Sequence, residues 1–150
     1  MRALVQRVLR ARVTVEGEVT GSIDRGLLVL VGAHVQDEAR EADWLARKVA
    51  GLRLFPDDEG RMNLDLRRAG GAALVVPQFT LYGDARHGRR PDFTQAAPPE
   101  RAEPLVERFC ATLASDGLRV ERGVFRAHMM VELVNDGPVT LMVETPAAAP

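Results

Sequence analysis

The chain has 150 residues, of which 46% are hydrophobic and 27% charged, and its formal net charge is -1. These values are typical of one globular domain with its own core, and the near-neutral charge excludes a global basic field for non-specific nucleic-acid binding. The single cysteine, Cys110, excludes an intrachain disulfide and a multi-cysteine zinc site. Because no signal-peptide core and no run of about 18 apolar residues is present, we expect a cytoplasmic protein that does not enter a membrane.

The first third of the chain predicts strands followed by a helix. Alternating residues predict strands over 3–8, 12–15 and 18–23, and the apolar run 27–32 is typical of a strand buried on both faces. A helix is predicted to follow, with Asp37 as its cap and Gly51 as its end.

The remainder predicts a second helix between strands. A buried strand is predicted over 72–76, a helix that begins near Pro99, and a short strand over 118–122. Two apolar runs, 129–134 and 139–143, flank an Asn-Asp-Gly-Pro sequence, which predicts a hairpin turn at 135–138. The domain is expected to cover residues 1–145, with a flexible tail over 146–150.

These elements predict a single-domain α/β fold. Because the ends of the chain read as hairpins, we expect largely antiparallel β-sheets, arranged as a sandwich or barrel. The two main helices are expected to cover one face, which makes a three-layer α/β/β architecture. No internal repeat and no long linker divides the chain.

The familiar catalytic and metal-binding motifs are absent from the sequence. The three histidines are far apart and match no metal spacing, and the acidic loop 56–60 lacks the spacing of a calcium loop. His128 is more typical of a partly exposed structural histidine than of an acid or base. We therefore expect no metal site and no cofactor.

Gln78, Phe79 and Thr80 directly follow a predicted buried strand, where backbone N–H groups can be exposed. Such donors can stabilise a carbonyl oxygen that becomes negative during a reaction. The alternative is a plain strand end with Phe79 in the core. Since this stretch and the Gly137-Pro138 stretch both lack a strong base, catalysis by positioning is more plausible than a side-chain triad.

At these two stretches the chain resembles the D-aminoacyl-tRNA deacylase (D-tyrosyl-tRNA deacylase) family, over about residues 1–144. The family signatures are Ser-Gln-Phe-Thr-Leu and Asn-x-Gly-Pro-Val-Thr. This chain has Pro77-Gln78-Phe79-Thr80-Leu81 and Asn135-Asp136-Gly137-Pro138-Val139-Thr140. Flanking matches include Gln6-Arg7-Val8, Gly26-Leu27-Leu28-Val29, Met62-Asn63-Leu64, and Gly88-Arg89-Arg90-Pro91 with Phe93. One departure is Pro77, which replaces the motif serine and so removes a hydroxyl and a backbone N–H.

The resemblance implies a homodimeric hydrolase that cleaves the ester between a D-amino acid and the terminal adenosine of tRNA. It implies chiral proofreading in translation, with glycyl-tRNA as a further substrate. Gln78, Phe79 and Thr80 would line the catalytic pocket, with backbone N–H groups facing the scissile carbonyl. Whether Thr80 or the 2′-hydroxyl of the RNA assists catalysis stays open, although the resemblance favours the RNA hydroxyl.

The resemblance also implies a cross-subunit active site. In the family the Gly-Pro bond is cis and reaches into the partner's pocket, so Gly137 and Pro138 would reject L-amino acids by clash. Arg7 would brace that loop, and Phe125 and Met129 would lie near the terminal adenine of the aminoacyl-tRNA 3′ end.

Two other functions remain open. One is a related enzyme that removes an achiral or small L-amino acid, with a trans Gly-Pro bond. The other is a dimeric RNA-end binding module without turnover, in which Arg86, Arg89 and Arg90 hold phosphates. The same arginines are equally consistent with a solvent-exposed loop whose positive charge is balanced by Asp84 and Asp92.

Overall fold

The fold is that of a computed structural model, which describes residues 1–146. All but the first residue of the predicted tail 146–150 lies outside this range. The elements in chain order are β1 (Arg2–Val15), β2 (Glu18–Ile23), β3 (Gly26–Gly32), α1 (Ala39–Ala50), β4 (Phe55–Pro56), β5 (Met62–Leu64), β6 (Ala72–Pro77), a 3-10 helix (Phe79–Tyr82), α2 (Pro99–Ser115), β7 (Arg119–Arg122) and β8 (Met130–Glu144).

Six strands form one sheet in the order β2-β1-β3-β6-β7, and β8 pairs with β1. β1 is antiparallel to β2, β3 and β8, which confirms the largely antiparallel arrangement. The pairs β3–β6 and β6–β7 are parallel, because a helix lies in each connection between them. Arg119 of β7 donates to the Ser22 carbonyl of β2 at 3.4 Å, so the sheet curls into a nearly closed barrel.

Two apolar clusters explain this single-domain α/β architecture. The larger cluster lies under the two helices and includes Phe55, Phe109 and Leu27. The smaller cluster contains Leu28 and Leu74 and lies on the opposite face of the sheet, inside the curl. Since neighbouring residues of a strand point to opposite faces, β3 supplies both clusters, which explains its unbroken apolar sequence.

The first helix begins differently from the prediction. Glu38, not Asp37, is the N-cap, and it forms a capping box with the third helical residue. Asp37 instead accepts the His34 N–H at 2.6 Å and pairs with the N-terminal ammonium at 2.8 Å. The predicted end at Gly51 is confirmed. The cap prediction failed because the Asp37 carboxylate pairs with the N-terminal ammonium. That partner is distant in the sequence, so no local pattern indicates it.

The predicted hairpin at 135–138 is wrong. The two apolar runs form the single strand β8, and both pair antiparallel with β1. The pairs that frame the irregularity are Gln6 with Thr140 and Val8 with Asn135. The chain therefore does not reverse, and residues 136–139 instead bulge out of the strand opposite the single residue Arg7.

The two helices are joined by an ion pair. Arg108 donates to the Asp43 carboxylate at 2.8 and 2.6 Å, and the Thr112 hydroxyl donates to it at 2.9 Å. The hydrogen bonds from Arg108, followed by that from Thr112, lower the pKa of Asp43 from its ordinary 3.8 to about 2.

This ion pair predicts a pH-dependent stability. Because the folded pKa lies below the unfolded value, the contribution of Asp43 is present above about pH 4 and is lost as the pH falls toward about 2. We expect the difference in the free energy of unfolding between the wild-type protein and Asp43→Asn to shrink over this window in urea titrations. The control is Asp58→Asn, since Asp58 is exposed and forms no ion pair within residues 1–146. A difference that stays constant with pH would contradict the assignment.

Candidate active site

Strand β6 leads directly into the first candidate catalytic segment. The Gln78 N–H donates to the Val31 carbonyl of β3 at 2.8 Å, which extends the parallel pairing by one residue. The 3-10 helix starts at Phe79, so the N–H groups of Phe79 and Thr80 have no acceptor within that helix. They also have no other acceptor within residues 1–146. These two N–H groups, and not that of Gln78, are therefore available to a ligand.

The side chains of this segment face outward. The Gln78 side-chain amide donates to the Thr80 hydroxyl. The alternative that Phe79 lies in the core is wrong, because its side chain is 56% exposed. The Phe79 ring packs edge-on against Phe93, with the ring centroids 5.2 Å apart.

A cleft of about 620 Å3 opens beside this segment. Four of the candidate residues line it together: Gln78, Phe79, Phe125 and Met129. Its walls are mainly apolar side chains, which suit a planar ring. Among the lining residues that the structure describes, the titratable side chains are those of Arg126 and His128. None of these lining residues carries a carboxylate.

Contacts with β1 and β3 hold the segment in place. At Gly32 a Cβ atom would lie 2.8 Å from the Gln78 carbonyl oxygen, so only glycine permits this approach. Arg2 donates to the Leu81 carbonyl at 2.9 Å, and its guanidinium lies 4.5 Å from the centre of the Tyr82 ring. Burial raises the pKa of Tyr82. The segment is therefore anchored at both its beginning and its end.

Pro77 lies at the end of strand β6, on the side that pairs with β7. Successive N–H groups of a strand point to alternate sides. Since the Gln78 N–H points to β3, an N–H at position 77 would point toward β7. The pairing of β6 with β7 ends at Val75 opposite Arg122, and the Gly123 N–H beyond it donates to the Val75 carbonyl at 2.8 Å, so Pro77 lies where this pairing ends.

The second candidate segment is the bulge 136–139 of β8. The Gly137-Pro138 bond is cis, and both residues are exposed. The Asn135 side chain closes the base of the bulge by accepting the Val139 N–H at 2.9 Å and donating to the Val139 carbonyl at 3.1 Å. Side-chain hydrogen bonds here replace the missing strand pairing.

Arg7 lies beneath this bulge. Its Nε donates to the Asp136 carbonyl at 2.8 Å and lies 3.5 Å from the Asp136 carboxylate. Its Nη1 donates to the Leu54 carbonyl at 2.5 Å, and the side chain is only 11% exposed. Arg7 therefore ties the bulge to the segment that precedes β4.

The two candidate segments lie at opposite ends of the sheet. Arg7 is opposite Leu27 of β3, which is opposite Ala73 of β6. The five steps along the chain from Ala73 to Gln78 span about 17 Å at about 3.3 Å per residue, and two strand spacings add about 10 Å sideways. One chain therefore does not bring Gly137 and Pro138 to the cleft.

Sequence reasoning missed Arg126 and the contact between Phe93 and Phe79. The Gly-Arg-Arg-Pro-x-Phe match pointed to Phe93, although not to its partner. Arg126 carries no sequence signal, because Val-Phe-Arg-Ala contains no residue typical of turns.

Three further observations limit the chemistry that the molecule can support. Cys110 is 1% exposed, and burial raises its thiol pKa to about 11, as a core position requires. Among residues 1–146 no three His, Cys, Asp or Glu side chains are grouped so that they could hold a metal ion. Over the same range no helix combines the length and apolar character needed to cross a membrane.

Comparisons with known proteins agree with one another. The sequence profile of the family described as D-Tyr-tRNA(Tyr) deacylase matches residues 4–144. A D-aminoacyl-tRNA deacylase from Symbiobacterium thermophilum is 59% identical over 145 residues, which cover 97% of this chain and 96% of that protein. One from Heliobacterium modesticaldum is 60% identical over 144 residues, which cover 96% of each chain.

Solved structures share the fold. The structure described as the c-Myc DNA unwinding element binding protein superposes with a TM-score of 0.92 at 40% identity, over 98% of this chain and 100% of that one. A structure described as a probable eukaryotic D-amino acid tRNA deacylase superposes with a TM-score of 0.82 at 18% identity, over 96% and 98%. At that identity the second likeness concerns the fold alone.

Proposed function

Because this chain belongs to the D-Tyr-tRNA(Tyr) deacylase family and hydrolyses D-aminoacyl-tRNA, we propose that it acts in chiral proofreading during translation. It is a hydrolase that releases the D-amino acid and the tRNA. In this role it spares tRNA that carries L-amino acids and works in the cytoplasm. The observation that carries the proposal is the pair of unbonded N–H groups at Phe79 and Thr80, beside an apolar cleft.

The cleft receives the terminal adenosine in this proposal. Phe125 and Met129 offer apolar surface to the adenine ring. The scissile carbonyl oxygen accepts hydrogen bonds from the N–H groups of Phe79 and Thr80. As water attacks the carbonyl carbon, negative charge develops on this oxygen and strengthens both bonds. The C–O bond to the ribose then breaks, and the water proton passes to the leaving ribose oxygen.

The RNA itself assists the attacking water. The Thr80 hydroxyl accepts a hydrogen bond from the Gln78 amide, and no basic group contacts it within residues 1–146. Without a base to remove its proton, this hydroxyl is a weak nucleophile. The 2′-hydroxyl of the terminal ribose lies next to the ester and can orient the water in its place.

A second copy of the chain supplies the residues that distinguish D- from L-amino acids. In the proposed homodimer, Gly137 and Pro138 of one protomer enter the cleft of its partner and clash with an L side chain. Two observations support this: Gly137 and Pro138 are exposed, and they are distant from the cleft of their own chain. Glycine has no side chain to reject, so glycyl-tRNA is a further substrate.

The test is deacylation by purified protein after removal of metals with a chelator. We expect release of D-tyrosine from D-tyrosyl-tRNA and no comparable release of L-tyrosine. Equal hydrolysis of both would overturn the chiral filter. Hydrolysis of small L-aminoacyl-tRNA but not D-tyrosyl-tRNA would favour the related achiral-specific activity. Binding of the RNA end without any turnover would favour the binding module.

The dimer is tested by light scattering during gel filtration. We expect the mass of two chains. A stable monomer with full D-specific activity would contradict the cross-subunit filter.

A further inference from the structure

Arg126 has an unusual backbone conformation at the cleft. It lies in a turn over residues 124–127, closed by the Ala127 N–H to the Val124 carbonyl at 3.3 Å, and its φ is 62°. A positive φ at this turn position normally selects glycine or asparagine. Strained residues of this kind concentrate at functional sites. The Arg126 side chain lines the cleft, is exposed and forms no ion pair within residues 1–146.

A basic loop, residues 84–92, is anchored to the same cleft. It is closed by Asp84 and Asp92, whose backbones exchange two hydrogen bonds of 2.8 Å each. The next residue, Phe93, lines the cleft and packs against Phe79. The loop that carries Arg89 and Arg90 is therefore closed at a base that directly precedes a residue of the cleft wall.

The acidic residues of the loop leave Arg89 and Arg90 unneutralised. The Asp84 carboxylate pairs with Arg86 at 2.5 Å. The Asp92 carboxylate accepts the Thr94 N–H at 2.6 Å instead of a cation. Arg89 and Arg90 are exposed and make no ion pair in the described part of the chain. The interpretation as a charge-balanced loop therefore holds for Arg86 and not for the other two arginines.

We infer that Arg126, Arg89 and Arg90 bind successive backbone phosphates of the RNA strand whose 3′ end occupies the cleft. This inference rests on the proposed function, which places the terminal nucleoside in that cleft. The net charge of -1 supplies no general attraction for RNA, so affinity must come from local cations. A guanidinium matches phosphate with paired, charge-assisted hydrogen bonds. Arg126 meets the phosphate nearest the terminal nucleoside, and the loop arginines meet those farther along the strand.

The test compares two substrates that differ in phosphates. D-Tyrosyl-tRNA carries the strand, whereas D-tyrosyl-adenosine carries no phosphate. For Arg89→Gln/Arg90→Gln and for Arg126→Gln we expect KM for the tRNA to rise at least about fivefold with kcat unchanged. For Arg89→Gln/Arg90→Gln, hydrolysis of D-tyrosyl-adenosine should not change. The dependence of log KM on log salt should weaken by about 0.7 for each lost contact to a single strand.

The matched control is Arg47→Gln/Lys48→Gln on the exposed face of α1, which removes the same charge from the helical layer. It should leave KM for the tRNA and the salt dependence unchanged. An equal rise of KM in the control, an equal loss on both substrates in Arg89→Gln/Arg90→Gln, or an unchanged KM for the tRNA in Arg126→Gln would overturn the inference. Arg126→Lys, which keeps the charge, should recover part of the affinity.

A binding measurement separates this inference from the proposed function. If the wild-type protein hydrolyses neither substrate, the proposed function fails. Fluorescence anisotropy with a labelled acceptor-stem RNA then still tests the three arginines. Weaker binding by Arg89→Gln/Arg90→Gln than by the α1 control supports the phosphate contacts, and equal binding overturns them.

Discussion

Gly32→Ala is expected to lower kcat for D-tyrosyl-tRNA about 100-fold while the protein stays folded. The new Cβ would lie 2.8 Å from the Gln78 carbonyl oxygen and 3.3 Å from the Tyr82 ring, so the backbone of the candidate catalytic segment must move. That movement displaces the two N–H groups proposed to bind the developing oxyanion. A misplacement of about 1 Å can cost about 10²-fold in rate.

Single-turnover kinetics measure this effect, and thermal unfolding followed by circular dichroism verifies the fold. The matched control is Gly51→Ala at the end of α1. There a Cβ would lie 3.4 Å from the Arg47 carbonyl oxygen, an ordinary contact, and φ is -89°. The control should keep full activity. If Gly32→Ala retained a rate within about threefold of wild type, the position of this segment would not limit the chemistry.

Arg7→Ala is expected to reduce the discrimination between D- and L-tyrosyl-tRNA at least about tenfold and to destabilise the fold. The Arg7 guanidinium donates to the carbonyls of Asp136 and Leu54 in a largely buried position. Losing these charge-assisted bonds costs about 1.5–3 kcal/mol each, less whatever water recovers. Without its brace, this loop would yield to an L side chain, so the chiral filter proposed for Gly137 and Pro138 would no longer reject it.

Parallel deacylation of both substrates measures the discrimination, and urea titration measures the stability. Arg12→Ala is the matched control, because Arg12 also lies on β1 and pairs with a residue of β8, Glu132. Its side chain is 55% exposed, so its pair is screened by solvent and contributes little. Unchanged discrimination in Arg7→Ala would show that Arg7 serves stability alone.

The location of the first candidate segment was predictable from local sequence, but its donors were not. A continuous apolar strand that ends before Gln78 indicates exposed backbone at that point. The Gln78 N–H, however, is taken by Val31, which lies 47 positions earlier in the chain. No local pattern reports such a partner, so only the fold reduces the available donors to those of Phe79 and Thr80.

The arginines of residues 84–92 show the same limit. The composition of this segment alone favours a phosphate-binding site and a loop with neutralised charge equally. The geometry of the loop decides which carboxylate neutralises which arginine. In this loop Asp84 pairs with Arg86. Only that pairing distinguishes Arg89 and Arg90 as the residues that remain for an RNA strand.

By itself the sequence determined the apolar strands, the presence of two helices, the start of the second helix at Pro99 and the family. The elements follow from side-chain periodicity and from residue types whose backbone preferences are local, whereas the family follows from the resemblance of two motifs and their flanks. The tertiary structure alone decided that the chain bulges at residues 136–139 instead of turning back at 135–138. Asn, Gly and Pro suit either conformation, and the long partner strand β1 pairs with both sides of the bulge, so the chain continues in one direction.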